Sequence, residues 1–324
     1  MGCSNSGSIK EKKYGKSFNK YKNIYTIDKY EPDLKEDYGT VCFLELENDK
    51  FLVSTQNNKI IVYSIKTYKA LFNICLHSTV NTIIKMKNKN FLFGDDYGRI
   101  HILEITPKNI YNILNSFSCQ KSITKIIEYK GNYIVASFKE ILFFHLTKDN
   151  KFLVVKTLNN HSSKIDIYNI YIIDNLLLSF AYEQKKGDKN EIIIYNLNNN
   201  YKILYKECKS SMVPWNQSCC QFTKNILVIS GNRCEIRLFD IKTFVVIDEI
   251  IDIDFFYSII CQNQRILCGS DTGKIYEFEY NPENNTLTII NEIKIHESSI
   301  FSITRLSSGT IVTTSRDGTI KFFE

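Results

Sequence analysis

Nowhere in the 324 residues does an uninterrupted apolar run approach the ~18 residues that a membrane-spanning helix needs, and the N-terminus has no apolar stretch of the secretory kind. The chain is therefore expected to be soluble or anchored, not threaded through a bilayer. Metal-type cysteine spacing is missing as well. The ten cysteines include no Cys-x-x-Cys pair with a matching second half, and the adjacent Cys219 and Cys220 offer poor tetrahedral geometry. Cys42, Cys75, Cys119, Cys234, Cys261 and Cys268 fall in strand-like segments and read as buried free thiols of a reducing cytosol, with no metal bound. Catalytic signatures are absent too: there is no Gly-x-x-x-x-Gly-Lys-Ser/Thr, Gly-x-Ser-x-Gly or His-Glu-x-x-His motif and no EF-hand loop. The carboxylate pairs Asp95 with Asp96 and Asp252 with Asp254 are accounted for by a turn and a loop. No catalytic residue, no cofactor and no small-molecule substrate are expected.

What is present is apolar material for a large core, with 44% hydrophobic residues and ample Ile, Tyr and Phe. The charge is unevenly spread. Residues 1–22 carry Lys10, Lys12, Lys13, Lys16, Lys20 and Lys22 against Glu11 alone, so this tail holds five of the six net positive charges. A nearly neutral remainder argues against nucleic acid. A basic tail suits an anionic membrane surface, where each basic side chain contributes about 1 kcal/mol; Lys10, Lys12, Lys13 and Lys16 would supply that attraction.

The tail opens MGCSNSGSIKEKKYGK. Gly2 and Ser6 fit the Met-Gly-x-x-x-Ser pattern and Cys3 stands where a palmitoyl group would follow, so the N-terminus resembles those of N-myristoylated and palmitoylated proteins. Two acyl chains, or one chain with basic residues, hold a protein at a membrane where a single myristoyl chain binds marginally. The other reading, that small residues simply accumulate at chain ends, stays open.

From Val41 onward, short strand-like runs alternate with turn residues and no long amphipathic helical pattern intervenes, which predicts an all-β fold. The last segment, HESSIFSITRLSSGTIVTTSRDGTIKFFE, serves as a template. Related segments end at Tyr63, Leu103, Phe144, Tyr195, Phe239, Phe278 and Phe323, separated by 39 to 51 residues. FLFGDDYGRIHILE, ILCGSDTGKIYEFE and TIVTTSRDGTIKFFE show the shared strand, tight turn, strand.

This period and these motifs resemble the tryptophan-aspartate (WD) repeat family, whose repeats are four-stranded propeller blades. The resemblance covers residues 23–324 and implies a seven-bladed β-propeller behind a 1–22 tail. It implies further that the ring closes by pairing the N-terminal strand with the last blade. That strand is expected at residues 23–30, NIYTIDKY, because the chain stops at Glu324 one strand short. The tail would then leave from the bottom face and turn the top face toward the cytosol. The repeat-end residue is never Trp, so the family's His, Ser/Thr, Asp and Trp network is incomplete in every blade. His296 with Asp317 is its best remnant and reads as structural bracing, as do His77 and His161 in equivalent loops.

Two top-face features are candidates for binding. AYEQKKGDKNE is a polar insertion in blade four, and the single tryptophan, Trp215, lies in the loop into blade five. Trp215 would be an aromatic anchor rimmed by Lys185, Lys186 and Lys189, or else would pack over the blade edge beside a solvated loop. No Arg-Arg-Gly motif of the phosphoinositide-binding propellers occurs. The resemblance implies a non-enzymatic scaffold for proteins or peptides, tethered to the cytosolic face of a membrane. The alternative is a cytosolic subunit of a larger complex, similar to a G-protein β subunit or a ubiquitin-ligase substrate receptor. A tail without heptads and the lack of an adaptor-binding domain count against these two. A quinoprotein-type enzyme would need a convergent polar cluster in the channel; a scaffold would show an aromatic or apolar patch at one face.

Overall fold

The second strand of each repeat reads as a short apolar run ending in a small or acidic residue: FLVST, FLFGD, YIVAS and IVTTS are examples. Such a run is buried on both faces, so it belongs inside a sheet that is itself covered on both sides. In the computed structural model, which describes residues 22–27, 40–106, 110–162, 165–183, 189–210, 218–231, 234–262 and 264–324, these runs do lie between covered faces. Every residue of Phe91–Asp95 and Ile311–Ser315 is buried.

The described residues form seven antiparallel four-stranded sheets. Six blades are each built from four consecutive strands. Their inner strands are Thr40–Leu46, Val80–Lys85, Ile123–Tyr129, Ile165–Ile173, Cys219–Gln221 and Phe256–Gln262. Blade seven takes Ile300–Arg305, Ile311–Ser315 and Ile320–Phe323 from the end of the chain and Asn23–Ile27 from its start. The closing strand runs antiparallel to Ile320–Phe323, from Asn23 opposite Phe323 to Ile27 opposite Ile320. Lys22 and Glu324 exchange backbone hydrogen bonds of 3.0 and 3.1 Å beyond it. The expected closure is therefore present; residues 28–30 of the expected strand lie outside the described residues.

Burial explains why the ring is closed. The apolar residues gather into seven clusters, one between each pair of neighbouring blades, including blades seven and one. An open row of seven blades would have six such interfaces and two bare faces, which the hydrophobic effect penalises at about 25 cal/mol per Å². All seven repeat-end residues, Tyr63, Leu103, Phe144, Tyr195, Phe239, Phe278 and Phe323, are buried.

Two recurrent irregularities shape the surface. Opposite each repeat-end residue, the outer strand carries one inserted residue: Leu71, Leu114, Val155, Leu204, Ile247, Ile290 and, in the closing strand, Ile24. A bulge of this kind bends the strand and increases its twist. Six of the seven inner strands carry a second bulge near their start, which inserts Val41, Asn81, Thr124, Tyr168, Tyr257 and Phe301. The turns on the same face are equally constrained. Gly273 has φ +77°, and a Cβ there would stand 2.2 Å from the His296 carbonyl oxygen, so no other residue fits without moving backbone.

Candidate protein-docking surfaces

The face where inner strands begin and second strands end, called the top face here, is held by polar networks. In blade seven, Thr313 donates to His296 Nε2 at 2.8 Å while His296 Nδ1 faces Asp317 Oδ2 at 3.1 Å. Asp317 also accepts from Thr319 and from the backbone of Glu297 and Thr319. Blade four repeats the arrangement with different residues: Ser179 donates to His161 Nε2 at 2.7 Å, and His161 Nδ1 meets Glu191 Oε2 at 3.0 Å. In blade two, Asp95 is fully buried and accepts from Ser78, from the Arg99 side chain at 2.8 Å, and from the Tyr97 and Arg99 amides.

These networks fasten each blade's turn to the loop that enters it, and every acid and histidine in them is spent on a protein partner. His77 departs from its expected role. It is exposed, and the neighbouring Ser78 is the residue that bonds Asp95. The expectation of uniformly buried thiols is also corrected: Cys219 and Cys268 are buried, whereas Cys75, on an outer strand, is exposed.

The electrostatics predict a pH response. Burial pushes the His161 and His296 pKa values below the ordinary 6.5, outweighing their acid partners. Asp95 and Asp317 are held below the ordinary 3.8 because their hydrogen-bond donors outweigh the burial that would raise them. A histidine with a lowered folded pKa binds more protons when unfolded, so stability falls as pH drops below 6.5; the depressed carboxylates remove more below 3.8. Melting temperature is expected to be flat from pH 8 to 7 and to decline steadily below about 6.5. In His296→Gln the decline between pH 6.5 and 5 should be shallower, as followed by circular dichroism.

The bulged residues make the top rim partly aromatic. Tyr168 packs against Phe138 and Tyr182, with ring centroids at 5.4 and 6.2 Å, and Tyr257 meets Phe301 edge-on at 5.6 Å. Tyr257 donates to Asp271 at 2.9 Å, which fixes its ring. Tyr97, in the blade-two turn, is 66% exposed, with the Arg99 guanidinium over its ring at 5.3 Å. Trp215, Lys185 and Lys186 lie outside the described residues, as does the side chain of Lys189; Gly2, Cys3, Lys10, Lys12, Lys13 and Lys16 do too.

A second surface, which the repeat pattern gave no means of locating, runs along the outer wall of blades two and three. The outer strand Tyr111–Ser118 exposes Tyr111, Ile113 and Leu114, with Ile110 just before it; Phe152–Leu158 exposes Leu153, Val154 and Val155. Strict alternation would hide every second one of these. Instead residues 110–114 and 153–157 are exposed throughout, on both faces of these outermost strands. Phe117 packs against Phe152, with centroids 5.8 Å apart, and Asn115 donates to the Asn150 carbonyl at 2.8 Å, which joins the two walls. Both strands are the fourth of their sheets. An apolar, unpaired sheet edge is a site of association unless something covers it. Exposed Lys148, Lys151 and Lys156 flank it against Asp149.

No family model matches the sequence, and no curated protein matches it. Solved structures do. The fold is similar to the WD40 β-propeller domain of Doa1, with a TM-score of 0.70 at 16% identity over 95% of this chain and 98% of that one. It is similar to a chain in the crystal structure of the Mitotic Checkpoint Complex, with a TM-score of 0.73 at 12% identity over 100% and 96%. It is also similar to the RRP9 WD40 repeats, with a TM-score of 0.70 at 10% identity over 89% and 94%. Likeness at such identities establishes architecture, and with the ring described above it makes this chain a seven-bladed β-propeller of the WD40 type.

Proposed function

We propose that this propeller is a non-enzymatic scaffold that docks protein partners while its N-terminal segment holds it at the cytosolic face of a membrane. The observation that carries the scaffold reading is the apolar wall of blades two and three: two adjacent unpaired strands expose aliphatic side chains on consecutive positions. Its occupant is an extended segment that adds as a strand, places aliphatic side chains on the wall and sets carboxylates against Lys148, Lys151 and Lys156. The aromatic rim at the top face offers a second place for contacts. One structural neighbour comes from a multiprotein complex, which agrees with protein partners.

The tether rests on sequence: Gly2 and Cys3 as acceptors and the basic cluster behind them. Asn23 starts opposite Phe323, at the face away from the histidine networks, so a chain entering the closing strand comes from the bottom. A membrane there leaves both the wall and the top face open to partners.

The test uses wild type, Gly2→Ala, and the double variant Leu114→Asp with Val155→Asp. Each is fractionated, weighed intact for fatty acids, and mapped for neighbours by proximity labelling. The wild type is expected to be acylated and pelleted and Gly2→Ala to be soluble. The double variant should stay on the membrane and keep its melting temperature while losing at least tenfold of the labelling of specific neighbours, the size of a hot-spot loss. An unmodified, soluble wild type removes the tether and leaves a cytosolic subunit. Unchanged neighbours in the double variant remove the wall as the docking site.

A further inference from the structure

Alternation along two short strands brings two thiols together. Cys219 and Cys220 are consecutive in the inner strand Cys219–Gln221, and Cys219 packs toward blade four while Cys220 packs toward blade six. In the inner strand Phe256–Gln262, Ile260 packs toward blade seven and Cys261 back toward blade five. Successive side chains on a strand point to opposite faces, so Cys220 and Cys261 share one interblade space. There the two side chains act directly on each other. Both are partly exposed, unlike Cys219 and Cys268 beside them, which are buried.

We propose that Cys220 and Cys261 form a reversible disulfide between blades five and six, by exchange with a small-molecule disulfide such as oxidised glutathione. Nothing in the scaffold reading requires this chemistry, and it stands without the tether. The Cys220 thiolate attacks one sulfur of the small disulfide; that S–S bond breaks, a protein–glutathione bond forms, and one glutathione leaves as thiol with a proton. Cys261 then loses its proton and attacks the Cys220 sulfur. The protein disulfide forms and the second glutathione leaves. Two protein thiols are oxidised and one external disulfide is reduced, so the step balances.

The assignment of attacker and resolver follows from the local chemistry. The Cys261 side chain beside Cys220 favours a thiolate there, drawing the Cys220 pKa down. The same contact, with burial, drives Cys261 up, and burial pushes Cys119 up to about 12. Cys220 is thus the thiol that reacts first. The staple would fall where the ring is held least: Cys219–Gln221 is three residues long, the shortest inner strand among the described residues.

The experiment is to equilibrate the full-length protein with reduced and oxidised glutathione, quench with acid, and map disulfides by mass spectrometry. Wild type is expected to lose two hydrogen masses and yield one Cys220–Cys261 cross-linked peptide, reversed by dithiothreitol. Cys261→Ser should retain glutathione on Cys220, and Cys220→Ser should leave Cys261 free. A wild type that keeps a glutathione adduct, bridges other cysteines, or stays fully reduced under oxidising ratios overturns the proposal. Because the wild-type map alone decides this, a variant that fails to fold does not remove the test.

Discussion

Phe322→Ala is expected to destabilise the propeller by about 3–5 kcal/mol, the range for deleting a fully buried aromatic side chain. Phe322 has no exposed surface and stands at the interface of blades seven and one. Its ring lies edge-on to Phe51, with centroids 5.7 Å apart, and 4.8 Å from Tyr68. Tyr68 in turn stacks on Tyr25 of the closing strand at 4.2 Å. Alanine leaves a cavity bordered by Phe51 from a strand and Tyr68 from a turn, each held by a further stacked ring, so little of it can collapse. Urea denaturation measures the effect. A cost under about 1 kcal/mol would mean that the seventh interface is looser than the other six.

Deleting Asn23–Ile27 should do more than weaken the fold. Blade seven would keep three strands, and Ile320–Phe323 would present an unpaired edge. Ile24 and Ile27 would leave the cluster between blades seven and one, and Tyr68 would lose the Tyr25 ring stacked on it. Exposed edges of this kind pair with other chains. The expected result is loss of a cooperative monomeric melt and a shift to oligomers in size-exclusion chromatography. Deleting residues 2–21 alone is the control and should leave the melting temperature unchanged. A cooperative, monomeric melt after removal of 23–27 would show that three strands suffice for the last blade.

Much of this architecture was readable along the chain, because each blade repeats the same physical requirement. A strand buried on both faces must be apolar and a tight turn must follow it, and those two demands recur down to RDGTIKFFE. The closing strand was readable for a related reason: a chain ending one strand short leaves a vacancy that NIYTI fits. His296 and Asp317 were found because blade seven keeps the family spacing. His161 has the same job, but its acid is Glu191, the last residue of the insertion AYEQKKGDKNE, so spacing alone did not reveal the pair. His77 shows the opposite failure, a histidine in the right loop whose work is done by Ser78.

The apolar wall lay beyond sequence reasoning for a geometric reason. Whether these aliphatic residues are covered depends on which strand ends up outermost in its sheet, and that is decided by pairing rather than by composition. The thiol pair is similar. Cys220 and Cys261 belong to different repeats, and only the ring places neighbouring repeats face to face.

The joining of the chain's two ends in one sheet has a bearing on biosynthesis. Asn23–Ile27 leaves the ribosome before the other strands of the propeller and finds its partner only when Ile320–Phe323 has been made. At about 5–20 residues per second, the roughly 300 intervening residues take about 15–60 s to appear. For that interval the growing row of blades has an unoccupied first strand and a bare face on blade one. The last blade is therefore completed by the earliest-made strand and the latest-made one, and the ring shuts only at the end of synthesis.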